Sequence, residues 1–262
     1  MGPEKADMKP EERQDKILRR LRALQREWRV EEIAKSLDVS PLTIRRDLDA
    51  LASEGAILRT HGGCVYAGRM ALDSLYHQRV ALNFDLKEAL GREAAKEIRP
   101  GSIVLINDGS TSFHLAAHLE SVGRVTVYTN SIAMVPELIR HPGVRLYIIG
   151  GEYYRDLLCL GGSLMQKTLE HLKFDIVFLG ADAVDKDGNC LVQDQETARI
   201  TQMMLRTGRR KILLADHTKA AAGSHVRYGS LSDFDAWITT PGLPAADVKR
   251  FARMTEIKEA RA

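Results

Sequence analysis

The sequence predicts an α/β protein in two parts. A small N-terminal unit of three short helices and a hairpin precedes a larger unit with a mostly parallel sheet. Early in the chain, apolar residues recur at helical spacing and two short β-branched runs then flank a pair of glycines. Further on, short apolar β-branched runs alternate with helical patterns, as is typical of a parallel sheet covered on both faces. We therefore predict domains at 10–66 and 84–255, joined by a linker at 67–83.

The first unit contains the stretch VSPLTIRRDLDAL at residues 39–51. Ser40 is a preferred N-cap residue, and Pro41 suits the first helical turn, where its missing N–H is not needed. Ile44, Leu48 and Leu51 then repeat at spacings of four and three, so they share one apolar face. This stretch therefore predicts a helix whose opposite face carries hydroxyl and guanidinium groups. One interpretation of that face is an ordinary solvated surface.

Neighbouring patterns favour a second interpretation. A helix over Glu31–Leu37 precedes the stretch, with Val39 in the corner between the two helices, and a third helix runs from Pro10 to Arg26. After Gly55, two short strands flank a Gly62–Gly63 turn and predict a hairpin wing. Together these elements predict a winged helix-turn-helix, in which the second helix of the pair enters the major groove of DNA. The candidate DNA contacts are Ser40, Pro41, Leu42, Thr43, Arg45, Arg46, Arg59, His61, Gly62 and Gly63.

Composition agrees with a DNA-binding protein but does not decide the matter. Of the 262 residues, 44% are hydrophobic and 28% charged, and residues 1–69 hold 14 Lys or Arg against 12 Asp or Glu. Since net charge supplies little attraction to phosphate, we expect a homo-oligomer, dimer or tetramer, that doubles the module on double-stranded operator DNA. The three cysteines have no CxxC spacing, which indicates reduced thiols and no metal site. With no leader pattern and no apolar run near 18 residues, we expect a cytoplasmic protein without a membrane partner.

Short apolar runs in the second unit predict the strands of its sheet. They span residues 102–107, 124–129, 144–150, 174–180 and 210–216, with a weaker run at 235–240. Helical patterns lie between most of them, at 86–98, 111–119, 132–140, 163–172, 196–207 and 245–254. Ligands of such sheets bind at the carboxyl ends of the strands, so the loops after the strands are the candidate site.

Two of these loops have the residues of an anion site. Asp108, Gly109, Ser110 and Thr111 follow the first strand, and Thr129-Asn130-Ser131 follows the second. Hydroxyls and free backbone N–H groups at a helix start favour a phosphate. Ordinary helix caps, at Ser110 or Thr111 and at Ser131, are the alternative.

Further residues complete the predicted effector site. Glycines permit a close approach of a ligand to the backbone, and carboxylates or a lysine can hydrogen-bond a sugar or its phosphate. The predicted effector residues after the third strand are Gly150 and Gly151. The predicted effector residues after the later strands are Gly180, Asp182, Glu196 and Lys219. Each charged residue among them is alternatively a plain surface charge.

The stretch VSPLTIRRDLDALASEGAILRTHGG resembles the signature of the DeoR family of bacterial transcriptional regulators. The matching positions are Ser40, Thr43, Ile44, Arg45, Arg46, Asp47, Leu48, Gly55, Arg59, His61, Gly62 and Gly63; Cys64 departs from the small residue usual there. NDGST, TNS, IIGG, FLGAD and ADHTK are similar to landmarks of the family's C-terminal sensor domain, so the resemblance covers roughly residues 10–240. It implies a ribose-5-phosphate-isomerase-like fold, a phosphorylated-sugar effector, and regulation, as a repressor, of a carbohydrate-metabolism operon.

The same resemblance raises an alternative of another class, a sugar-phosphate isomerase or deaminase with a DNA-binding appendage. In the isomerase relatives an Asp-Glu pair follows the strand and a lysine precedes a glycine run. Here Ala183 follows Asp182, and Lys219 is followed by Ala-Ala-Ala-Gly. We therefore expect a regulator without catalytic residues, cofactor or metal. An architectural DNA-binding protein without a ligand is the third hypothesis, and it leaves the anion-ready loops without a role.

Overall fold

A computed structural model describes residues 8–24, 27–54, 56–60, 62–66, 76, 79–80, 82–220 and 222–261. The chain divides into two compact units, Met1–Leu75 and Tyr76–Ala262. Most of the predicted linker and the predicted helix stop at Gly55 lie outside the described residues.

Three helices and a small antiparallel sheet form the first unit. The helices are α1 (Pro10–Leu24), α2 (Val30–Leu37) and α3 (Pro41–Ser53), and the strands are β1 (Trp28–Arg29), β2 (Ile57–Arg59) and β3 (Gly63–Tyr66). Their shared core consists of Ile17, Leu21, Trp28, Val30, Ile33, Ala34, Ile44, Leu48, Leu51, Ile57 and Cys64. Val39 packs against this core as its position between the helices predicted. The helix-turn-helix and its hairpin are thus confirmed.

The sheet of this unit has one strand more than predicted. Its order is β1-β3-β2, because the two-residue β1 pairs with β3. The two strands approach so closely that a Cβ on Gly63 would lie 2.3 Å from the Trp28 carbonyl oxygen. Gly63 is therefore required by backbone packing between these strands.

In the second unit, helices and strands alternate along the chain. The helices are α4 (Phe84–Ala95), α5 (Ser110–Ala116), α6 (Val135–Leu138), α7 (Gly162–Glu170), α8 (Gln195–Leu205) and α9 (Ala245–Phe251). The strands are β4 (Ile103–Ile106), β5 (Val125–Thr129), β6 (Val144–Ile148), β7 (Glu152–Tyr154), β8 (Cys159–Gly161), β9 (Phe174–Gly180), β10 (Ala183–Val184), β11 (Asn189–Val192), β12 (Gly208–Leu214), β13 (Val226–Ser230), β14 (Ala236–Thr239) and β15 (Glu256–Glu259).

Seven of these strands form one parallel sheet in the order β15-β14-β12-β9-β4-β5-β6. Alternate residues of a strand point to opposite faces. Accordingly Ile106 and Phe178 belong to one core cluster with α4 and α5, whereas Leu105 and Val177 belong to another with α7, α8 and α9. The sheet is buried on both faces, as the continuous apolar runs predicted.

Strand order places a switch point at the centre of this sheet. From β4 the chain proceeds through β5 to β6 at one edge, and then crosses to β9 on the other side of β4 before continuing outward. In open parallel sheets, ligands bind at the carboxyl ends of the two strands where the order reverses. Here those strands are β4 and β9.

Three predictions about elements need correction. The helix predicted over 132–140 is a single turn, α6, because the amides of Ile132 and Ala133 bond to the Leu158 carbonyl and Pro136 lacks an N–H. Two small antiparallel sheets, β10-β11-β13 and β7-β8, were not predicted. The predicted domain end at 255 is too early, since β15 pairs with β14 up to Glu259.

No helix in the described part of the chain is long and apolar enough to cross a membrane. Within the same residues, no group of His, Cys, Asp or Glu side chains is arranged to hold a metal ion. The three cysteines are free and buried.

Candidate DNA interface and ligand cavity

The start of α3 is capped as its sequence predicts. The Ser40 hydroxyl oxygen accepts a hydrogen bond from the Thr43 backbone N–H at 3.1 Å, and the two hydroxyls lie 2.8 Å apart. Pro41 occupies the first turn. Because the cap satisfies backbone donors locally, the first turn of α3 is fixed without help from other elements.

The polar face of α3 is open to solvent. Leu42 is 58% exposed, and Arg45 and Arg46 are exposed as well. Neither arginine forms an ion pair with any residue that the structure describes. Their charges are thus available to a polyanion.

The wing adds one further basic group. The Arg59 guanidinium lies 3.3 Å from the Asp49 carboxylate, which connects β2 to α3. Gly62 is exposed at the turn and Gly63 is buried. His61 lies outside the described residues.

A cavity opens at the switch point of the large sheet. Its walls include the loop after β4, the loop after β9 and the start of α8. The lining residues are Tyr76, Arg79, Asn107, Asp108, Gly109, Ser110, Thr111, Leu157, Gly180, Ala181, Asp182, Val192, Gln193, Asp194, Thr197, Thr201 and Lys219. The structure thus brings together seven of the predicted effector residues: Asp108, Gly109, Ser110, Thr111, Gly180, Asp182 and Lys219.

The Asp108 carboxylate is held in place from behind the cavity wall. Asn130 Nδ2 donates to Asp108 Oδ1 at 3.0 Å and also to the Leu160 carbonyl at 3.0 Å. The Cys159 thiol is a further hydrogen-bond partner, and burial together with the Asp108 charge raises the pKa of that thiol. Asp108 therefore presents a fixed acceptor to the cavity.

Three basic side chains lie at or beside the cavity. Arg79 lies 3.1 Å from Asp182, and Lys219 contributes to the wall. Lys87, buried in α4, directs its ammonium group to the Ser110 hydroxyl at 3.2 Å and donates to the Arg79 carbonyl oxygen. Burial, followed by the charge of Lys219, lowers the pKa of Lys87 from 10.5 to about 8.

Burial of these cations favours an anionic ligand. A lysine whose pKa is lowered by desolvation and by a neighbouring positive charge is stabilised when an anion arrives. The carboxylates of Asp108, Asp182 and Asp194 line the same cavity and can accept hydrogen bonds from hydroxyl groups. Chemically, the arrangement suits a ligand with one anionic end and several hydroxyls.

Six predicted effector residues are absent from the described cavity wall. They are Thr129, Asn130, Ser131, Gly150, Gly151 and Glu196. Ser131 is fully buried and its hydroxyl oxygen accepts from the Met134 N–H at 3.3 Å. Thr129 Oγ1 accepts from the Ser131 N–H. Asn130 reaches the cavity wall through its hydrogen bond to Asp108, and contact of this second loop with a phosphate stays a prediction.

Gly151 and Glu196 have other contacts within the sensor unit. A Cβ on Gly151 would lie 2.0 Å from the Gly161 carbonyl oxygen, so this glycine permits a close approach of two backbones. Glu196 accepts a hydrogen bond from the Tyr154 hydroxyl at 3.4 Å.

Sequence reasoning missed several cavity residues. Tyr76 and Arg79 fall in the predicted linker, and Asp194 lies two residues before the predicted helix at 196–207. Lys87 has a signal in the sequence, since it shares the apolar face of α4 with Leu90 and Ala94. A lysine in such a stripe is rarely buried without a partner or a function.

Comparison with known proteins identifies the family. A profile of the DeoR-like helix-turn-helix domain matches residues 13–69, and a profile of the DeoR C terminal sensor domain matches residues 82–240. The chain belongs to the DeoR family of transcriptional regulators. Its fold accordingly joins a DNA-binding module to the family's sensor domain, and the cavity lies in that sensor domain.

Similar curated proteins are regulators from bacteria and archaea. The HTH-type transcriptional regulator GlpR of Haloferax volcanii is 30% identical over 82% of this chain and 84% of its own length. The glycerol-3-phosphate regulon repressor of Escherichia coli strain K12 is 31% identical over 82% and 85%. The lactose phosphotransferase system repressor of Lactococcus lactis subsp. lactis is 30% identical over 88% and 91%.

Among solved structures, ribose 5-phosphate isomerase A from Methanocaldococcus jannaschii matches 53% of this chain and 55% of its own, with 18% identity and a TM-score of 0.39. A likeness of this size says nothing about activity.

Proposed function

We propose that this DeoR-family regulator represses a carbohydrate-metabolism operon, and that a phosphorylated sugar in the sensor cavity controls its affinity for operator DNA. The observation that carries the proposal is a basic cluster of Arg79, Lys219 and Lys87, the last in contact with the lining residue Ser110, at a cavity that is also lined by carboxylates. The cations suit a phosphate and the carboxylates suit sugar hydroxyls. Because operator DNA is its target, we place the protein in the cytoplasm.

The start of the sensor unit gives the ligand a route to the DNA-binding module. Residues 76–80 directly follow the N-terminal unit in the chain, and among them Tyr76 and Arg79 line the cavity. Tyr76 is buried in the wall, Arg79 pairs with Asp182, and the Arg79 carbonyl accepts from Lys87. On the far side of Lys87, His114 Nε2 lies 3.1 Å from the Val80 carbonyl.

A bound anion would compete with these contacts. Lys87 now directs its charge to the Arg79 carbonyl and the Ser110 hydroxyl, and Arg79 directs its charge to Asp182. A phosphate that draws both cations changes how Arg79 is held. A ligand shifts an equilibrium only through different affinities for two states, and these contacts supply such a difference.

The enzymatic alternative lacks the Glu that follows the Asp in the isomerase relatives. Ala183 follows Asp182 and is buried in β10, and Asp182 itself is paired with Arg79. Proton transfer at a substrate carbon needs a base and an acid that converge on it. We therefore propose binding of the sugar phosphate without turnover.

A thermal-shift screen tests the proposal. We expect the purified protein to be stabilised by one or more of glycerol 3-phosphate, pentose phosphates and hexose phosphates, by roughly 2.7 kcal/mol at a hundredfold excess over Kd. The unphosphorylated counterparts should give little shift. Incubation of the same samples followed by sugar-phosphate analysis should return each compound unchanged. Isomerised or deaminated product would favour the enzyme, and equal shifts with and without phosphate would refute the phosphate site.

A further inference from the structure

A buried ion pair joins the first helix to the proposed DNA-reading helix. Arg13 on α1 and Asp47 on α3 have side chains that are 8% and 5% exposed. Arg13 Nε and Nη2 donate to the two carboxylate oxygens of Asp47, the second at 3.0 Å. Gln14 Nε2 adds a third donor at 3.3 Å, and Arg13 Nη1 donates to the Met8 carbonyl at 2.7 Å.

Asp47 occupies a position in α3 that the helical pattern reserves for the core. The buried residues of α3 are Ile44, Asp47, Leu48 and Leu51, spaced as one stripe. An aliphatic side chain at this position would join the core, whereas the carboxylate requires a partner. Asp47 also belongs to the family motif, yet it is turned away from the exposed face that carries Arg45 and Arg46.

Such a pair is poorly suited to add stability. Removing two charges from water costs about as much as their attraction returns, and well-packed apolar replacements are often neutral or stabilising. A paired guanidinium and carboxylate, however, have one preferred geometry. Aliphatic contacts such as Ile17 or Leu21 against Leu48 tolerate small shifts, since cores lose uniqueness before they lose stability.

The position of α3 matters because base recognition is geometrically strict. Turning a helix by about 20° about its axis moves a side-chain tip at a radius of about 6 Å by about 2 Å. That displacement exceeds the tolerance of a hydrogen bond to a base edge. Arg46 is the neighbour of Asp47 in the chain, so the angle fixed at Asp47 directly sets where Arg46 points.

We infer that the Arg13–Asp47 pair is a positioning device, which sets the rotation of α3 on the domain and thereby the DNA sequence that the protein selects. This inference rests on the proposal that α3 reads the base edges. It assigns a role in specificity to Arg13, a residue on a helix that carries none of the proposed DNA contacts.

The test separates specificity from folding in the full-length protein. Operator duplexes are selected from a random pool with wild type, and Kd is measured on the selected and on scrambled duplexes. The variants are Arg13→Met with Asp47→Leu, Arg13→Lys alone, and Arg46→Ala. Lys16→Ala, which removes an exposed ion pair with Glu12 on the same helix, is the control.

We expect the double variant to melt within about 5 °C of wild type, because an apolar pair replaces an ionic one. Its ratio of scrambled to operator Kd should fall about tenfold or more, with its affinity for scrambled DNA and its salt dependence unchanged. Selection repeated with the double variant should return a broader or shifted consensus. Arg13→Lys keeps the positive charge but cannot donate two parallel hydrogen bonds to the Asp47 carboxylate, so it should also lower the ratio of scrambled to operator Kd. Lys16→Ala should leave this ratio unchanged.

Two results would overturn the inference. A folded double variant that keeps both the ratio and the consensus shows that the pair only fills space, provided that Arg46→Ala lowers the ratio. If Arg46→Ala also leaves the ratio unchanged, α3 does not read the bases, and the inference falls with that proposal. If the double variant shows no cooperative melting, the ratio of scrambled to operator Kd is measured for Arg13→Lys instead. A wild-type ratio in that variant would overturn the inference.

Discussion

Lys87 shows how one residue connects burial to ligand choice. Its ammonium group is desolvated and lies near a second lysine, Lys219, which together lower its pKa to about 8. The buried Asp216 carboxylate offsets this only in part, and within the described residues one of its oxygens has no hydrogen-bond partner. Burial destabilises the charged form of Lys87, and an anion in the cavity would offset this unfavourable free energy. The buried charge therefore favours binding of an anion.

Alkaline pH should weaken the binding of the sugar phosphate. The ligand raises the pKa of Lys87 above its free value of about 8, so the complex holds a proton that the free protein loses. Affinity is therefore full below pH 8 and falls, by up to about tenfold per pH unit, as the pH rises above it. The phosphate itself is already a dianion in this range, since its second pKa is about 6.

Calorimetric titration between pH 7 and 9.5 measures this decline. Lys87→Arg is the matched control, because a guanidinium keeps its charge throughout the range and should give a nearly flat profile. The two proteins are first shown to melt cooperatively. Equal slopes in wild type and Lys87→Arg would mean that another group controls the pH dependence.

At the level of elements, we propose that α3 and the wing divide the work of DNA binding. We expect Leu42, Thr43 and Arg46, close behind the cap of α3, to approach base edges, whereas Arg59 lies on the hairpin beside Asp49. Base contacts supply discrimination between sequences and phosphate contacts supply affinity on any sequence.

Two arginine substitutions should therefore differ in kind. Arg46→Ala should lower discrimination between operator and scrambled DNA by about 1 to 3 kcal/mol per lost base contact. Arg45→Ala should weaken binding to both duplexes alike and reduce the slope of log Kd against log salt by about 1. Fluorescence anisotropy at several salt concentrations distinguishes them. If Arg46→Ala discriminates between operator and scrambled DNA as well as wild type does, the proposal that this face of α3 contacts the bases is wrong.

Periodicity predicted the elements of both units because each buries a regular pattern. All six predicted runs are strands of the parallel sheet, and the capping residues of α3 placed its start correctly. Elements held by long-range pairing were not predictable in this way: β1 is two residues long, and β15 has the charged sequence EIKE.

In the candidate site, too, the features that follow from local sequence were predictable and those set by long-range contacts were not. Loops after β4 and β9 were predictable from the rule for parallel sheets, and they do line the cavity. The loop after β5 has a similar sequence but lies one strand from the switch point, and the hydroxyls of Thr129 and Ser131 accept hydrogen bonds from nearby backbone N–H groups. Arg79 and Lys87 reach the cavity from segments that no strand-end rule covers.

At the scale of the whole molecule, one DNA-binding module is too small to select an operator alone. The net charge of the chain is only +3, so unspecific attraction to phosphate is modest. We expect a dimer or tetramer whose half-sites lie about 10 base pairs apart, or a multiple of that, on one side of the duplex. Hydroxyl-radical footprinting with analytical ultracentrifugation tests this. A monomer that protects one isolated half-site would contradict it.

The central claim is that a sugar phosphate in the cavity changes operator affinity, and one titration tests it most directly. The protein is bound to its selected operator and titrated with the phosphorylated sugar that stabilises it most, in parallel with the unphosphorylated sugar. Thr111→Val, which removes a cavity hydroxyl at nearly constant volume, is the matched variant.

We predict that the phosphorylated sugar changes the operator Kd of wild type by about tenfold or more, within the usual range of allosteric coupling. The unphosphorylated sugar should leave that Kd unchanged, and Thr111→Val should bind operator normally without responding to either compound. An operator Kd that stays constant under saturating sugar phosphate, or that responds equally to both sugars, would contradict the account.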